Sequence, residues 1–250
     1  MPFMCLIAFH WQPDSETPLI VAANRDEFYS RPTAPLAWWE GERILGGRDL
    51  SAGGSWMGVT RTGRFAALTN YRDPARMKTR APSRGQLVSD FLAGDIGAVD
   101  FIAQLRPKAP DYNDFNLLLY DGNRLMGYES RHDCTLRFGR GTHAVSNARF
   151  DTPWPKVDAT KQRFDAVRDD DDALLAMLAN GDTAPDERLP KTGVPIEWER
   201  GLSAAFIRLP EYGTRSSSVL RLGHRQVRFV ERRFERGIAA GDTVIEFPLA

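Results

Sequence analysis

Short apolar runs joined in pairs by turn residues constrain the fold of this chain more than any other feature of its sequence. Cys5 to His10 and Pro18 to Ala23 are two such runs, with a turn around Asp14 between them. Ser55 to Thr60 and Arg64 to Thr69 are joined by Arg61-Thr62-Gly63, and Gly53-Gly54 turns the chain into the first of them. Phe115 to Tyr120 and Arg124 to Glu129 flank Asp121-Gly122-Asn123, residue types that tolerate the positive φ of tight hairpins. Runs this short, bounded by turn residues, read as buried strands pairing with their neighbours in sequence.

Helical periodicity appears in two separate pairs. Ser83 followed by Gln86 reads as a capping box ahead of Leu87, Val88, Phe91 and Leu92, with Gly94 as the stop, and a second helix is predicted over Ile96 to Leu105. Trp154 to Val167, opened by Asp151-Thr152-Pro153, and Ala173 to Leu178 form the second pair, the acidic Asp169 to Asp172 run favouring the N-terminus of the latter. After a polar stretch from Asn180 to Pro195, strands are predicted at Ala204 to Leu209, Ser216 to Leu222, Gln226 to Phe234 and Thr243 to Phe247. Hairpins interrupted by paired helices imply an α+β protein rather than alternating units around a parallel sheet, and a four-layer αββα sandwich fits. At 250 residues one core can serve the whole chain, so residues 1–250 are read as a single domain.

Charge narrows the partners. Lys plus Arg at 33 equals Asp plus Glu at 33, which removes the uniform positive field of a generic nucleic-acid or anionic-membrane binder. The apolar run from Phe3 to Phe9 has no basic segment before it and no small-residue cleavage site, and it is far shorter than a membrane span. No secretion and no membrane anchor are expected. The two cysteines, Cys5 and Cys134, lie far apart, which supports neither a disulfide framework nor a paired-cysteine zinc site. A cytoplasmic setting is the default. No metal site and no required cofactor are expected, since no metal-ligand or nucleotide-binding motif occurs.

Asn24-Arg25-Asp26-Glu27 follows the second apolar run directly. Gly46-Gly47-Arg48-Asp49, Gly53-Gly54-Ser55-Trp56-Met57-Gly58, Ala67-Leu68-Thr69-Asn70, Ser146-Asn147 and Gly213-Thr214-Arg215-Ser216 follow in order. Together with the early Met-Cys, these blocks resemble the NRDE family, also called the transport and Golgi organisation protein 2 family, over nearly the whole chain. The resemblance implies an N-terminal-nucleophile-hydrolase-like αββα fold, with Cys5 at the first residue of the first strand.

In such a site a cysteine at a free chain terminus uses its own α-amine, with an unperturbed pKa of about 7.7–8.0, as general base. By similarity to cysteine acylases of the penicillin and bile-salt type, Cys5, Arg25, Asp26, Asn70, Asn147 and Arg215 are the candidate catalytic set. Arg25 would lower the pKa of thiol and amine, and Asp26 would orient the α-ammonium. Asn70 or Asn147 would donate to the oxyanion, and Arg215 would hold the cysteine end. Asn24, Glu27, Arg48 and Trp56 are the candidate ligand-binding residues. Arg25 and Asp26 are adjacent, so a continuing strand would point them to opposite faces. Met1 to Met4 precede Cys5, so its nitrogen becomes a free amine only once those residues are removed.

Each residue also has a plainer reading. Cys5 alone would be a small hydrophobe in a buried strand, and Cys134 is read as core. Asp26 and Glu27 could satisfy turn amides. Arg72, Arg76, Lys78, Arg80 and Arg84 read as a solvated basic loop, with steering of an anionic ligand as the alternative. The Gly46, Gly47, Gly53 and Gly54 positions read as turns, and Trp38, Trp39 and Trp56 as packing residues. His10, His132, His143 and His224 show no ligand spacing, although any of them could serve as an axial ligand. The leading expectation is hydrolysis of the C–N bond of a small amide or N-acyl substrate. The alternatives are a haem-trafficking or acyl-lipid-binding carrier and a scaffold without chemistry. The expected partner is a small molecule (an amide, an acyl compound or haem).

Overall fold

The computed structural model describes residues 5–41 and 43–250. Its strands are β1 (Cys5–Trp11), β2 (Leu19–Phe28), β3 (Thr33–Trp38), β4 (Ile44–Asp49), β5 (Met57–Thr60), β6 (Phe65–Asn70), β7 (Phe115–Tyr120), β8 (Leu125–Glu129), β9 (Cys134–Arg137), β10 (Gly141–Val145), β11 (Tyr212–Leu222), β12 (Gln226–Glu235) and β13 (Ile238–Pro248). The helices are α1 (Gly85–Ala93), α2 (Ala98–Leu105), α3 (Pro155–Val167), α4 (Asp171–Leu178) and α5 (Ile196–Leu202). One sheet has the order β10-β1-β2-β11-β12-β13 and the other β3-β4-β5-β6-β7-β8-β9, with every pairing antiparallel.

Strand alternation builds the layers. In β1 and β2, Ile7, Phe9, Trp11, Leu19, Val21 and Ala23 face the second sheet, where Met57, Val59, Phe65, Ala67 and Leu118 complete the central core. The intervening Leu6, Ala8, Ile20 and Ala22 face α3 and α4 through Val157, Phe164, Leu174 and Leu178. On the far side, α1 and α2 cover the second sheet through Leu87, Phe91, Leu92 and Ile102. The result is the four-layer αββα sandwich expected for an α+β chain, because each sheet carries apolar residues on both faces and must be covered twice. Among the described residues, no helix is long and apolar enough to cross a membrane.

Several local expectations are corrected. Strand β2 runs through Asn24-Arg25-Asp26-Glu27 to Phe28 instead of ending before it, since β11 pairs with it along that whole length. Gly46 and Gly47 lie inside β4, not in a turn. A Cβ on Gly47 would overlap the Trp56 ring, so the missing side chain is what lets that indole lie against the strand. The Ser83 capping box does not form: the N-cap of α1 is Arg84, without a side-chain cap, and Gln86 reaches forward to Asp90 at 2.9 Å. Segment 204–209 is buried from Ala204 to Ile207 but its only β pairing among the described residues is an isolated bridge between Arg208 and Gly213. Its backbone is satisfied elsewhere, with the Phe206 amide donating to the Asn180 carbonyl at 2.8 Å and the Ala205 carbonyl accepting from Asn24 at 2.8 Å. The short elements β3, β9, β10 and α5 carry too little periodicity to be seen in advance.

Candidate functional site

Cys5 is the first residue of β1 and pairs in register with Arg25 of β2. Odd-numbered positions of these strands face the second sheet, so Cys5, Arg25 and Glu27 share one side, while Asn24 and Asp26 share the other. Cys5 opens onto a cavity of about 310 Å³ at the end of the central core, with Arg25, Glu27, Trp56, Asn70 and Arg84 among its walls. Among the described residues, no group of His, Cys, Asp and Glu has the arrangement to hold a metal ion.

The cavity is electrostatically structured. Arg25, 5% exposed, lies 3.6 Å from Glu27 and 3.5 Å from Asp49, and its guanidinium stacks 4.4 Å from the centre of the Trp56 ring. Arg31 bonds Asp49 at 2.7 Å and lies 3.5 Å from Glu27, completing a two-arginine, two-carboxylate quartet. Burial pushes the Asp49 carboxyl up, but the hydrogen bonds from Arg31 and the Ala52 amide, together with the charges of Arg31 and Arg25, hold the group below its ordinary value. Burial and then the charge of Asp26 push the Cys5 thiol up to about 12, against the opposing pull of the Asp26 backbone amide and then of Arg25. At neutral pH the sulfur is therefore a thiol, and attack on a substrate requires a base.

On the opposite face, Thr214 donates to Asp26 Oδ1 at 2.6 Å. Oδ2 is buried without a hydrogen-bond partner among the described residues, and so is the ammonium of Lys156 from α3. The two charges interact across this interior: burial raises the Asp26 carboxyl and lowers the Lys156 ammonium, and each counteracts the other's shift.

The remaining predicted residues lie around this centre, not in it. Asn147 sits behind Asn70 and donates to its carbonyl at 2.7 Å. The Asn24 side chain donates to the carbonyls of Leu178 at 2.9 Å and Ala205 at 2.8 Å and accepts from Ser217 at 2.6 Å, so it ties β2 to α4, β11 and segment 204–209. Arg215 is the bulged residue between Thr214 and Ser216 of β11, and it donates to the carbonyls of Phe28, Tyr29 and Arg31 at 3.0, 3.2 and 3.3 Å. It braces the chain leaving β2 rather than the Cys5 end. Arg48 is exposed, stacks over Trp39 at 4.8 Å and lies outside the cavity walls. Asn24→Ala is expected to cost about 2–3 kcal/mol of stability by stranding two buried carbonyls. Chemical unfolding should show the loss, while affinity for any ligand of the Cys5 cavity stays within about twofold.

Arg84, Arg31, Asp49 and Lys156 were not singled out in the sequence as site residues. Within its run of cations Arg84 reads as part of a solvated loop, with steering of an anionic ligand as the alternative, and its neighbour Gly85 is the available signal. A Cβ on Gly54 would overlap the Gly85 carbonyl, and the Ser55 amide donates to Gly85 at 3.1 Å, so two glycine backbones meet and carry Arg84 to the cavity.

The four-layer αββα sandwich is the N-terminal-nucleophile-hydrolase-like fold. Among solved structures, the chain is similar in fold to a mutant of the conjugated bile acid hydrolase from Clostridium perfringens, with a TM-score of 0.51 at 8% identity over 97% of this chain and 92% of that one. The family model described as Transport and Golgi organisation 2 matches residues 4–236, and the chain belongs to that family. The Transport and Golgi organization protein 2 homologs of Bos taurus and Homo sapiens are 35% and 33% identical to it, each alignment covering 92% of both chains.

Proposed function

We propose that the Cys5 cavity is a cysteine amidohydrolase site for a small amide or N-acyl compound, made competent when the residues before Cys5 are removed. The observation that carries this reading is Cys5 at the first position of a central strand, opposite Arg25 and opening onto a cavity walled by Asn70. A freed α-amine would take the thiol proton as sulfur attacks the amide carbon, then pass it to the departing amine as the C–N bond breaks. Water would then hydrolyse the acyl thioester. Arg25 favours the thiolate, and Asn70 is the wall residue suited to donate to the developing oxyanion. Both cysteines are free, which suits a reducing, cytoplasmic setting.

The test is intact-mass analysis of protein expressed from its natural start, followed by assay of amine release from a panel of N-acyl compounds. A species beginning at Cys5, with release of amine, is expected. Retention of the preceding residues with no turnover removes the reading.

A carrier for haem or an acyl chain is the second reading. None of the four histidines lines the Cys5 cavity, so it offers haem no imidazole ligand. A separate cavity of about 620 Å³ holds His224 beside Arg225, an imidazole next to a cation suited to a propionate, while Arg221 and Arg228 of the same cavity are paired with Asp171. Titration with hemin should then give a saturable Soret shift that His224→Ala abolishes. A spectrum without saturation excludes haem at this cavity.

A further inference from the structure

We infer that the substrate of the Cys5 cavity carries an anionic group, a carboxylate or a phosphate, and that Arg84 is the residue that binds it. This deepens the amidohydrolase reading and rests on the same cavity.

The argument is one of charge balance. Three arginines line the cavity: Arg25, Arg31 and Arg84. Arg25 and Arg31 are matched by Glu27 and Asp49 at 2.7 to 3.6 Å. The third carboxylate, Asp26, points its side chain to the other face, where Thr214 and Lys156 attend it. Among the described residues Arg84 has no carboxylate partner. Its Nη1 donates to the Asp114 carbonyl at 3.1 Å, and the Asp114 carboxylate is taken by Arg76 at 3.3 Å and Arg131 at 3.6 Å.

Arg84 is half-buried, and burial lowers its pKa to about 10, with the charge of Cys5 the largest opposing influence. It remains a cation at neutral pH. An uncompensated guanidinium in a partly dry cavity is held there at a desolvation cost, which an anionic ligand relieves through charge-assisted hydrogen bonds. Its position is set by rigid neighbours: the Gly54–Gly85 backbone contact pins the loop on one side and the Asp114 carbonyl holds the guanidinium on the other. The cation thus stands at a fixed place in the wall of the cavity onto which the nucleophile opens, as a specificity determinant should.

The test compares three ligands with one acyl chain: N-hexanoylglycine, N-hexanoylethanolamine phosphate and the neutral N-hexanoylglycinamide. Calorimetry on the Cys5→Ala protein reads binding without turnover. At least one anionic ligand should bind about tenfold or more tightly than the neutral one, and the tighter of the two assigns carboxylate or phosphate. In the Cys5→Ala, Arg84→Gln double variant the ratio should fall to within about twofold. Equal binding of charged and neutral ligands, no binding of any of them, or a preference that survives Arg84→Gln overturns the inference. The ligand comparison needs no Arg84 variant, so it decides even if that variant fails to fold. Turnover of the same compounds by the unsubstituted protein is read separately. Charge discrimination without hydrolysis defeats the amidohydrolase reading alone, and hydrolysis without discrimination defeats this one alone.

Discussion

Cys5→Ala is expected to lower amide turnover at least about a thousandfold while leaving the fold intact, because it removes the sulfur that forms the acyl intermediate in the proposed mechanism. The side chain is small and nearly buried, so its loss should cost about 1 kcal/mol of stability. Thermal unfolding and hydrolysis rate should therefore separate cleanly. The same chemistry predicts that Cys5-first protein mixed with substrate gains the mass of one acyl group, and that Cys5→Ala gains none. Turnover unchanged in Cys5→Ala would sink the mechanism outright. The thiol, pushed up to about 12, makes the dependence on processing strong: with an amide nitrogen at Cys5, no base lies on the cysteine itself to take its proton.

Arg72→Met should be the most destabilising single substitution behind the site. Arg72 and Glu199 form a buried ion pair, both almost wholly excluded from solvent, and Thr192 supplies a further hydrogen bond to Glu199. Removing the arginine strands a buried carboxylate, a change that costs about 3–5 kcal/mol. For a chain of this size that lowers Tm by on the order of 10 °C. Replacing both partners with apolar residues, Arg72→Met with Glu199→Leu, should recover most of the loss, because a well-packed apolar pair carries no desolvation penalty. The consequence reaches the cavity: the Arg72 amide donates to the Asn147 carbonyl at 2.8 Å, and Asn147 in turn holds the Asn70 carbonyl. A Tm within about 2 °C of the parent protein for Arg72→Met alone would show that the pair does not bear on stability.

Arg72 shows where local pattern misleads. In the chain it stands among Arg76, Lys78, Arg80 and Arg84, and a run of cations reads as a solvated loop. Its buried partner comes from 127 positions away, on a helix too short to declare itself. Asn24 misleads the other way. It stands in the motif that names the family, beside Arg25, yet strand alternation turns it to α4 and segment 204–209, where it satisfies backbone carbonyls. The opposite faces of Arg25 and Asp26 were legible in advance, because a period of two follows once the strand is known to continue.

By itself the sequence determined the hairpins, the paired helices, and therefore an α+β sandwich with Cys5 leading its first strand, because turn chemistry and apolar periodicity act over a few neighbouring residues. Tertiary structure decided which charges are matched. Glu27 and Asp49 neutralise Arg25 and Arg31, Glu199 neutralises Arg72, and Arg84 reaches the cavity unpaired because Gly54 and Gly85 meet backbone to backbone. Coulomb energies and desolvation depend on distance and burial in space, and neither quantity is written in the spacing of residues along a chain.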